Sequence, residues 1–123
     1  MASLRARVVF AGLLTLSAGA VLVAQTRLLT FEQLTVAGTS VGITAATLTT
    51  PSGGRPLALC VARLETAQIR FRVDGTAPTA SVGTVLEPGD VLTLPRIEDA
   101  RAARFIRTGA TSGVLDIHCE PQP

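Results

Sequence analysis

Apolar and polar side chains alternate strictly over residues 68–73, QIRFRV, in the middle of the chain. This period of two predicts a strand with Ile69, Phe71 and Val73 on a buried face. Asp74-Gly75 ends the strand, because glycine enters the positive-φ conformations of a tight turn without steric cost. The following Glu87-Pro88-Gly89-Asp90 has proline and glycine at the positions that a type II turn prefers. Residues 91–94 are therefore expected to form the next strand.

The same pattern predicts strands on both sides of this segment. They cover residues 31–36, 41–44, 57–64, 103–108 and 114–119. Residues 57–64 are almost continuously apolar, which favours a central strand buried on both faces. Residues 96–103 have apolar positions at helical spacing and predict one short helix. The sequence thus predicts an all-β protein with a single antiparallel β-sandwich, Ig-like or jelly-roll-like, over residues 31–120, followed by a tail over 121–123.

The first part of the chain has the pattern of a targeting segment. Arg5 and Arg7 precede an uncharged apolar run over residues 8–24, which predicts an apolar helix and favours a secretory signal cleaved after Ala20 or Ala24. An uncleaved membrane anchor is the main alternative, because a run of about 17 residues is at the lower limit for crossing a bilayer; a misassigned start is another. Residues 25–30 would be a linker. The expected location is secreted, periplasmic or at the cell surface.

Charge and aromatic content exclude some partners. Of the eleven basic residues, Arg5 and Arg7 lie in the targeting segment, which leaves nine against nine acidic residues. The chain contains neither Trp nor Tyr. Binding of nucleic acid needs net positive charge and is usually helped by aromatic stacking, so we expect no nucleic-acid partner. Membrane contact is expected only through residues 1–24, if they are uncleaved.

Cys60 and Cys119 both follow the targeting segment. In an oxidising compartment an even pair of cysteines in a small domain favours a disulfide. Both share strand parity with apolar neighbours, so both are expected to point inward. A bridge would close a loop of about 60 residues and contribute on the order of 4 kcal/mol. The alternative is two buried free thiols that pack as small hydrophobic residues.

The residues that could support catalysis are sparse. The single histidine, His118, neighbours Cys119 on a predicted strand, so the two side chains point to opposite faces and form no dyad. Zinc needs three or four ligands, which this histidine and two distant cysteines do not supply. Ser112 lies in no nucleophile-elbow pattern, and no phosphate-binding glycine loop is present. We therefore expect no catalytic residue, no metal site and no cofactor.

Arginines form the most distinctive polar set. Arg70 and Arg72 share the outer face of their strand, and residues 116, 118 and 120 share the outer face of the last one. If these strands are neighbours, weak cross-strand ion pairs should form. The alternative is an arginine-bearing face that docks on an acidic partner or a carbohydrate. The candidate interaction surface comprises Arg70, Arg72, Asp74, Thr76 and Arg107, and Arg104 belongs to the same group of arginines.

Two segments resemble known proteins. The run AQIRFRVDGTAPTASVGTVLEPGDVLTL, followed by RFIRTGATSGVLDI, resembles the small β-sandwich proteins encoded among the structural genes of tailed phages. Those proteins carry a similar Ile-Arg-x-Arg-x-Asp-Gly-Thr-x-Pro-Thr segment. The likeness covers Leu57 to Cys119 and implies a non-catalytic virion component, such as a decoration, fibre or accessory head-tail protein, whose partners are other protein subunits. The signal-like segment and the cysteine pair depart from that family and fit an exported protein better.

A shorter likeness covers Ile69 to Thr79, which is similar to the Asp-Gly-Thr-x-Pro-Thr hairpin of the immunoglobulin-like C-terminal domain of chitobiases. It implies an accessory module near sugar chemistry. The leading hypothesis is thus a non-catalytic structural or surface-attachment protein of a virion or a cell surface. The alternative is a secreted or periplasmic ligand-binding accessory module for a small molecule or glycan. The lack of Trp and Tyr counts against the alternative, because sugar faces usually stack on such rings.

Overall fold

The computed structural model describes residues 29–122. The predicted signal or anchor helix over residues 1–24 lies outside them. The described chain forms eight strands and one short helix. These are β1 (Thr30–Val36), β2 (Val41–Gly42), β3 (Leu57–Thr66), β4 (Ile69–Arg72), β5 (Thr84–Leu86), β6 (Val91–Leu94), α1 (Ile97–Ala102), β7 (Arg104–Arg107) and β8 (Gly113–Pro121). The expectation of an all-β protein is confirmed.

The strands form two four-stranded sheets in which the paired strands are antiparallel. Sheet I has the order β1-β8-β3-β6, and sheet II has the order β2-β7-β4-β5. Buried side chains from both sheets belong to one hydrophobic core, with Leu64, Leu115 and Ile117 from sheet I and Ile69 and Phe105 from sheet II. Each sheet therefore has one face on the core and one outer face.

Both predicted turns are present. The Asp74 carboxylate accepts a hydrogen bond of 3.1 Å from the Thr76 N–H, and Gly75 has a φ of 82°. In the second turn the Asp90 N–H donates to the Glu87 carbonyl at 2.9 Å, and Gly89 has a φ of 91°. A residue with positive φ at the third position is what a type II turn requires. The short helix α1 also lies where the sequence predicted it.

β3 is central in sheet I, as predicted, but it is not buried on both faces. Cys60, Ala62 and Leu64 are fully buried, whereas Val61 is half-buried and Arg63 is exposed. The reason is that one face of an antiparallel sheet packs on the core while the other stays open to water. A nearly unbroken apolar run was therefore an imperfect sign of burial on both faces.

Three strands are shorter than predicted, and of these β7 lacks one residue at each end. β4 ends at Arg72, so Val73 is 42% exposed instead of buried. β2 ends at Gly42, because the chain then turns towards β1, where the Thr44 N–H donates to the Glu32 carboxylate at 2.8 Å. Within residues 29–122, no helix combines the length and the apolar character needed to cross a membrane.

The predicted disulfide joins Cys60 and Cys119, and both cysteines are fully buried. The two residues lie directly opposite each other in β3 and β8, with their Cα atoms 4.0 Å apart. The bridge is therefore within sheet I, unlike the bridge between the two sheets that characterises antibody domains. It links the two central strands of the sheet.

The start of β8 packs very closely on sheet II. A Cβ atom placed on Gly113 would lie 2.5 Å from the Ile69 Cγ2 and 3.1 Å from the Ala67 carbonyl oxygen. Real Cβ atoms do not approach another carbon to 2.5 Å, because this separation is far inside van der Waals contact. Only glycine fits this position without movement of its neighbours.

Candidate interaction surface

The predicted ion pairs between the arginine strand and the last strand do not form. β4 lies in sheet II and β8 in sheet I, so residues of the two strands are not cross-strand neighbours. Asp116 instead accepts a hydrogen bond of 3.0 Å from the Gln33 side chain. His118 is exposed on the outer face of sheet I, where its register partners are Phe31 and Val61. The condition for cross-strand ion pairs, that these two strands be neighbours, is therefore not met.

Three arginines lie together on the outer face of sheet II instead. Arg72 in β4 is directly opposite Arg104 in β7, and Arg70 is opposite Ile106. Because side chains of one strand alternate between faces, Arg70, Arg72 and Arg104 all point away from the core residues Ile69 and Phe105. We call these three side chains the arginine face. The chain positions them through the register of β4 with β7.

The Arg70 side chain donates hydrogen bonds within the molecule. Its Nη1 donates to the Gly83 carbonyl at 2.7 Å, and its Nε donates to the Ala80 carbonyl at 3.1 Å. Both carbonyls belong to the segment that links β4 to β5. A guanidinium can make such paired contacts because its donors form a rigid planar fork. Arg70 therefore holds the 73–83 segment against the sheet.

Arg72 forms an exposed ion pair with Asp74, two residues further along the chain. The Arg72 Nε donates to the Asp74 Oδ1 at 3.2 Å, and the Nη2 makes a second contact with Oδ2. The side-chain hydrogen bond is the main reason why the pKa of Asp74 is lowered, and the Thr76 N–H adds to this effect. The same hydrogen bond raises the pKa of Arg72. Thr76 contributes to this part of the surface only its main-chain N–H, which donates to Asp74.

Arg104 differs from the other two arginines. It is exposed, and among residues 29–122 its side chain has no hydrogen-bond or ion-pair partner. It lies beside Gly42 of the neighbouring strand, where a Cβ atom would be in ordinary van der Waals contact with the Arg104 Cδ at 3.6 Å. With respect to the described part of the chain, the guanidinium keeps its donors available beside Arg72. Arg104 is therefore the part of this face best suited to an external anion.

Arg107 was predicted to belong to the same surface, but the structure does not bring it there. It is paired with Ile69 in the register of β7 and β4, which places it on the face opposite to the arginine face. Its Nη1 donates to the Ser112 hydroxyl at 3.3 Å, and its main-chain N–H donates to the Ala37 carbonyl at 3.1 Å. Arg107 is half-buried and connects β7 to two loops.

A polar network that the sequence pattern did not predict lies at one end of the face. The Thr108 hydroxyl donates to the Gln68 Oε1 at 2.9 Å, and the Gln68 amide nitrogen donates to the Glu87 carboxylate. Gln68 has the same strand parity as Arg70 and Arg72, which is the only sequence signal for this arrangement. The network limits the arginine face at that end.

A shallow open groove lies next to Arg72. It has a volume of about 330 Å³ and is lined by residues 71–74 and 82–84. Phe71, Val73 and Val82 give it an apolar lining, while Arg72 and Asp74 provide charge. Apolar surface beside a few polar groups is the usual composition of a ligand site. The groove is an extension of the arginine face that a partner side chain or a small ligand could enter.

The residues considered for catalysis are separated in the structure. The Ser112 hydroxyl accepts from Arg107, whereas His118 is on the outer face of sheet I, where its register partners belong to other strands. Both cysteines are in the disulfide. Within the part of the chain that the structure describes, no group of three or more His, Cys, Asp or Glu residues could hold a metal ion.

Comparison with known proteins adds no relative to this picture. No protein-family model matches the chain, and no curated protein or solved structure matches it either.

Proposed function

We propose that the protein is a non-catalytic structural or surface-attachment protein that docks its arginine face on an acidic surface of another protein subunit. The observation that carries this proposal is Arg104, an exposed cation without a partner among the described residues, directly opposite Arg72. Of the three positive guanidiniums on this face, Arg72 is neutralised by the Asp74 carboxylate. The Glu87 carboxylate lies only at the end of the face, where Gln68 binds it. The face is positive although the chain without its targeting segment is close to neutral.

We also infer that the fold is a jelly roll, the second of the two sandwich types that the sequence predicts. Its support is a regular pairing in which β1 pairs with β8, β2 with β7, β3 with β6 and β4 with β5. Such pairing arises when one long antiparallel hairpin is wrapped into two sheets. Jelly rolls of eight strands are common in viral capsid proteins and lectins. This association agrees with both the virion hypothesis and the ligand-binding alternative.

Export is part of the proposal. The buried disulfide is compatible with an oxidising compartment, because structural disulfides persist mainly outside the reducing cytosol. The signal-like pattern of residues 1–24 points in the same direction. A surface-attachment protein of the cell envelope or of a particle released from the cell would satisfy both observations.

The small strength of exposed ion pairs limits how much the arginine face can contribute to the affinity for a partner. An exposed ion pair contributes only about 0.2–1 kcal/mol, so one such pair cannot hold a complex together. A cluster of like charges has a larger effect on the rate and orientation of association, and this effect weakens as salt screens the charges. We therefore expect docking that depends strongly on ionic strength, supported by apolar contacts in the adjacent groove.

The test is retention of the protein on its native particles or cell envelopes. Sedimentation of these structures should carry the wild-type protein into the pellet at low salt and less of it at high salt. Arg104→Glu should reduce the pelleted fraction several-fold. Arg101→Glu in α1 is the matched control, because Arg101 is also exposed but lies outside the arginine face. Equal retention of both variants would contradict the proposal.

The second candidate is a secreted ligand-binding module, and the groove beside Arg72 favours it. A glycan array probed with the purified protein would test this function. Binding that is lost in Val82→Asp but kept in Arg104→Glu would support the module and oppose docking through the arginine face. Val82 is 52% exposed, so an aspartate there should alter the groove with little effect on folding.

A further inference from the structure

The four edge strands of the two sheets differ greatly in length. β1 has seven residues, whereas β2 has two, β5 three and β6 four. β6 is followed by Pro95, and α1 packs against β3 and β6. β1 runs alongside β8 without a bulge from Thr30 to Val36 and contains neither proline nor lysine. β1 thus lacks the proline, lysine and bulge that often prevent an edge strand from pairing with another chain, and the carboxylate of its one charged residue, Glu32, is already bonded to Thr44.

The pairing of the central strands shows which groups of β1 face its free edge. The Leu64 N–H in β3 donates to the Asp90 carbonyl, which lies immediately before β6, at 3.1 Å. Every second residue of β3, counted from Leu64, therefore directs its main-chain N–H and C=O towards β6. The residues of β8 that lie opposite these direct their own N–H and C=O towards β1. Leu115, Ile117 and Cys119 are those residues of β8. Their partners in β1 are Leu34, Glu32 and Thr30.

Among residues 29–122, no strand pairs with the other side of β1, so its alternate residues are left for a further partner. Phe31, Gln33 and Thr35 direct their N–H and C=O groups to the free edge. Their side chains are exposed on the outer face of sheet I, and Phe31 is 66% exposed. Phe31 therefore adds apolar contact area beside these main-chain groups.

We propose that β1 pairs antiparallel with β1 of a second copy of this chain, about a two-fold axis at Gln33. Phe31 then lies opposite the partner's Thr35, and Gln33 lies opposite the partner's Gln33. The three residue pairs exchange about six main-chain hydrogen bonds. The two copies of sheet I become one continuous sheet. This inference uses residues of sheet I and does not depend on the arginine face.

The side chains of β1 are compatible with this two-fold arrangement. Gln33 donates one amide hydrogen to Asp116 at 3.0 Å, which leaves its second hydrogen and its carbonyl for the partner's Gln33. Glu32 is the only charged residue of β1, and its carboxylate accepts hydrogen bonds from the Thr44 N–H and hydroxyl. In the proposed register Glu32 lies opposite the partner's Leu34. No like charges meet, so the strand is complementary to itself.

The first test is the mass of the intact, disulfide-bonded protein in solution by analytical ultracentrifugation. We expect a dimer for the wild type and a monomer for Gln33→Pro, because proline removes an N–H from the free edge without removing a bond to β8. Thr93→Pro is the matched control, since Thr93 has the equivalent position on the other edge of sheet I. This variant should remain a dimer. A monomeric wild type, or loss of the dimer in Thr93→Pro alone, would overturn the proposal.

A cross-linking test examines the register and does not depend on the stability of a proline variant. Gln33→Cys should form a reducible covalent dimer under mild oxidation, because the two-fold axis places the two side chains opposite each other. Phe31→Cys should cross-link at least tenfold less, because its opposite residue is the partner's Thr35. Equal cross-linking of both variants, or none in Gln33→Cys, would overturn this arrangement.

Discussion

The two sheets of this protein are built differently, although they share one core. Sheet I has long strands, with ten residues in β3 and nine in β8, and the disulfide joins its two central strands. The longest strands of sheet II have only four residues, and Arg70 and Arg72 are bonded to the segment that follows β4. The comparison indicates that sheet I supplies most of the stability, whereas sheet II presents the charged surface. Four variants test this division, and they follow in order of decreasing expected effect.

Removal of the disulfide should have the largest effect. A double substitution of Cys60 and Cys119 by alanine frees a long loop in the unfolded state and should lower the free energy of unfolding by about 4 kcal/mol. Urea denaturation of the variant and of the wild type measures the difference. The free energy of unfolding of the variant should also equal that of the reduced wild type. A loss below about 1 kcal/mol would show that the stability of sheet I does not depend on the bridge.

Gly113→Ala tests the contact between the sheets. The added methyl group would lie 2.5 Å from the Ile69 Cγ2, so either β8 or β4 has to move. Overpacking of this kind usually costs about 1–3 kcal/mol. Gly109→Ala is the control, since a Cβ atom there would meet nothing within 4 Å. Similar melting temperatures for the two variants would contradict the packing described here.

Arg70→Ala tests whether this arginine has a local role in sheet II. Loss of the hydrogen bonds to the Ala80 and Gly83 carbonyls should reduce global stability by only about 1 kcal/mol. Amide hydrogen exchange should become faster in the 73–83 segment and stay unchanged in β3 and β8. Arg101→Ala should leave both regions unchanged. Faster exchange throughout the variant would mean that sheet II and sheet I unfold together.

The Arg72–Asp74 pair should give the smallest effect, one that depends on pH. The pKa of Asp74 is lower in the folded protein, mainly because of the hydrogen bond from Arg72. Its stabilising contribution is therefore present above the unfolded pKa of about 3.9 and is lost as pH falls through the folded pKa. Asp74→Asn should flatten the pH dependence of the melting temperature slightly below pH 4. No difference from the wild type would mean that solvent screens the pair completely.

Local structure was largely predictable from the sequence. The alternation of QIRFRV predicted β4, and Asp74-Gly75 and Glu87-Pro88-Gly89-Asp90 predicted the turns that follow. Two cysteines in a short chain allowed only one internal bridge, so this pairing could also be predicted. The strand and the turns depend on residues close in sequence, and the disulfide has only one possible pairing within the chain.

The neighbours of each strand could not be predicted in the same way. Arg72 meets Arg104 instead of the acidic residues of β8, and Arg107 lies on the opposite face. Every strand offers the same main-chain donors and acceptors, so hydrogen bonding alone does not choose between partners. Burial of the whole core makes that choice. The sequence by itself thus determined most of the strands, the turns and the bridge, although it did not predict the three-residue strand β5. Only the tertiary structure decided which charges share a surface and which strand of residues 29–122 lies at the edge of its sheet, because both depend on how the strands pack together.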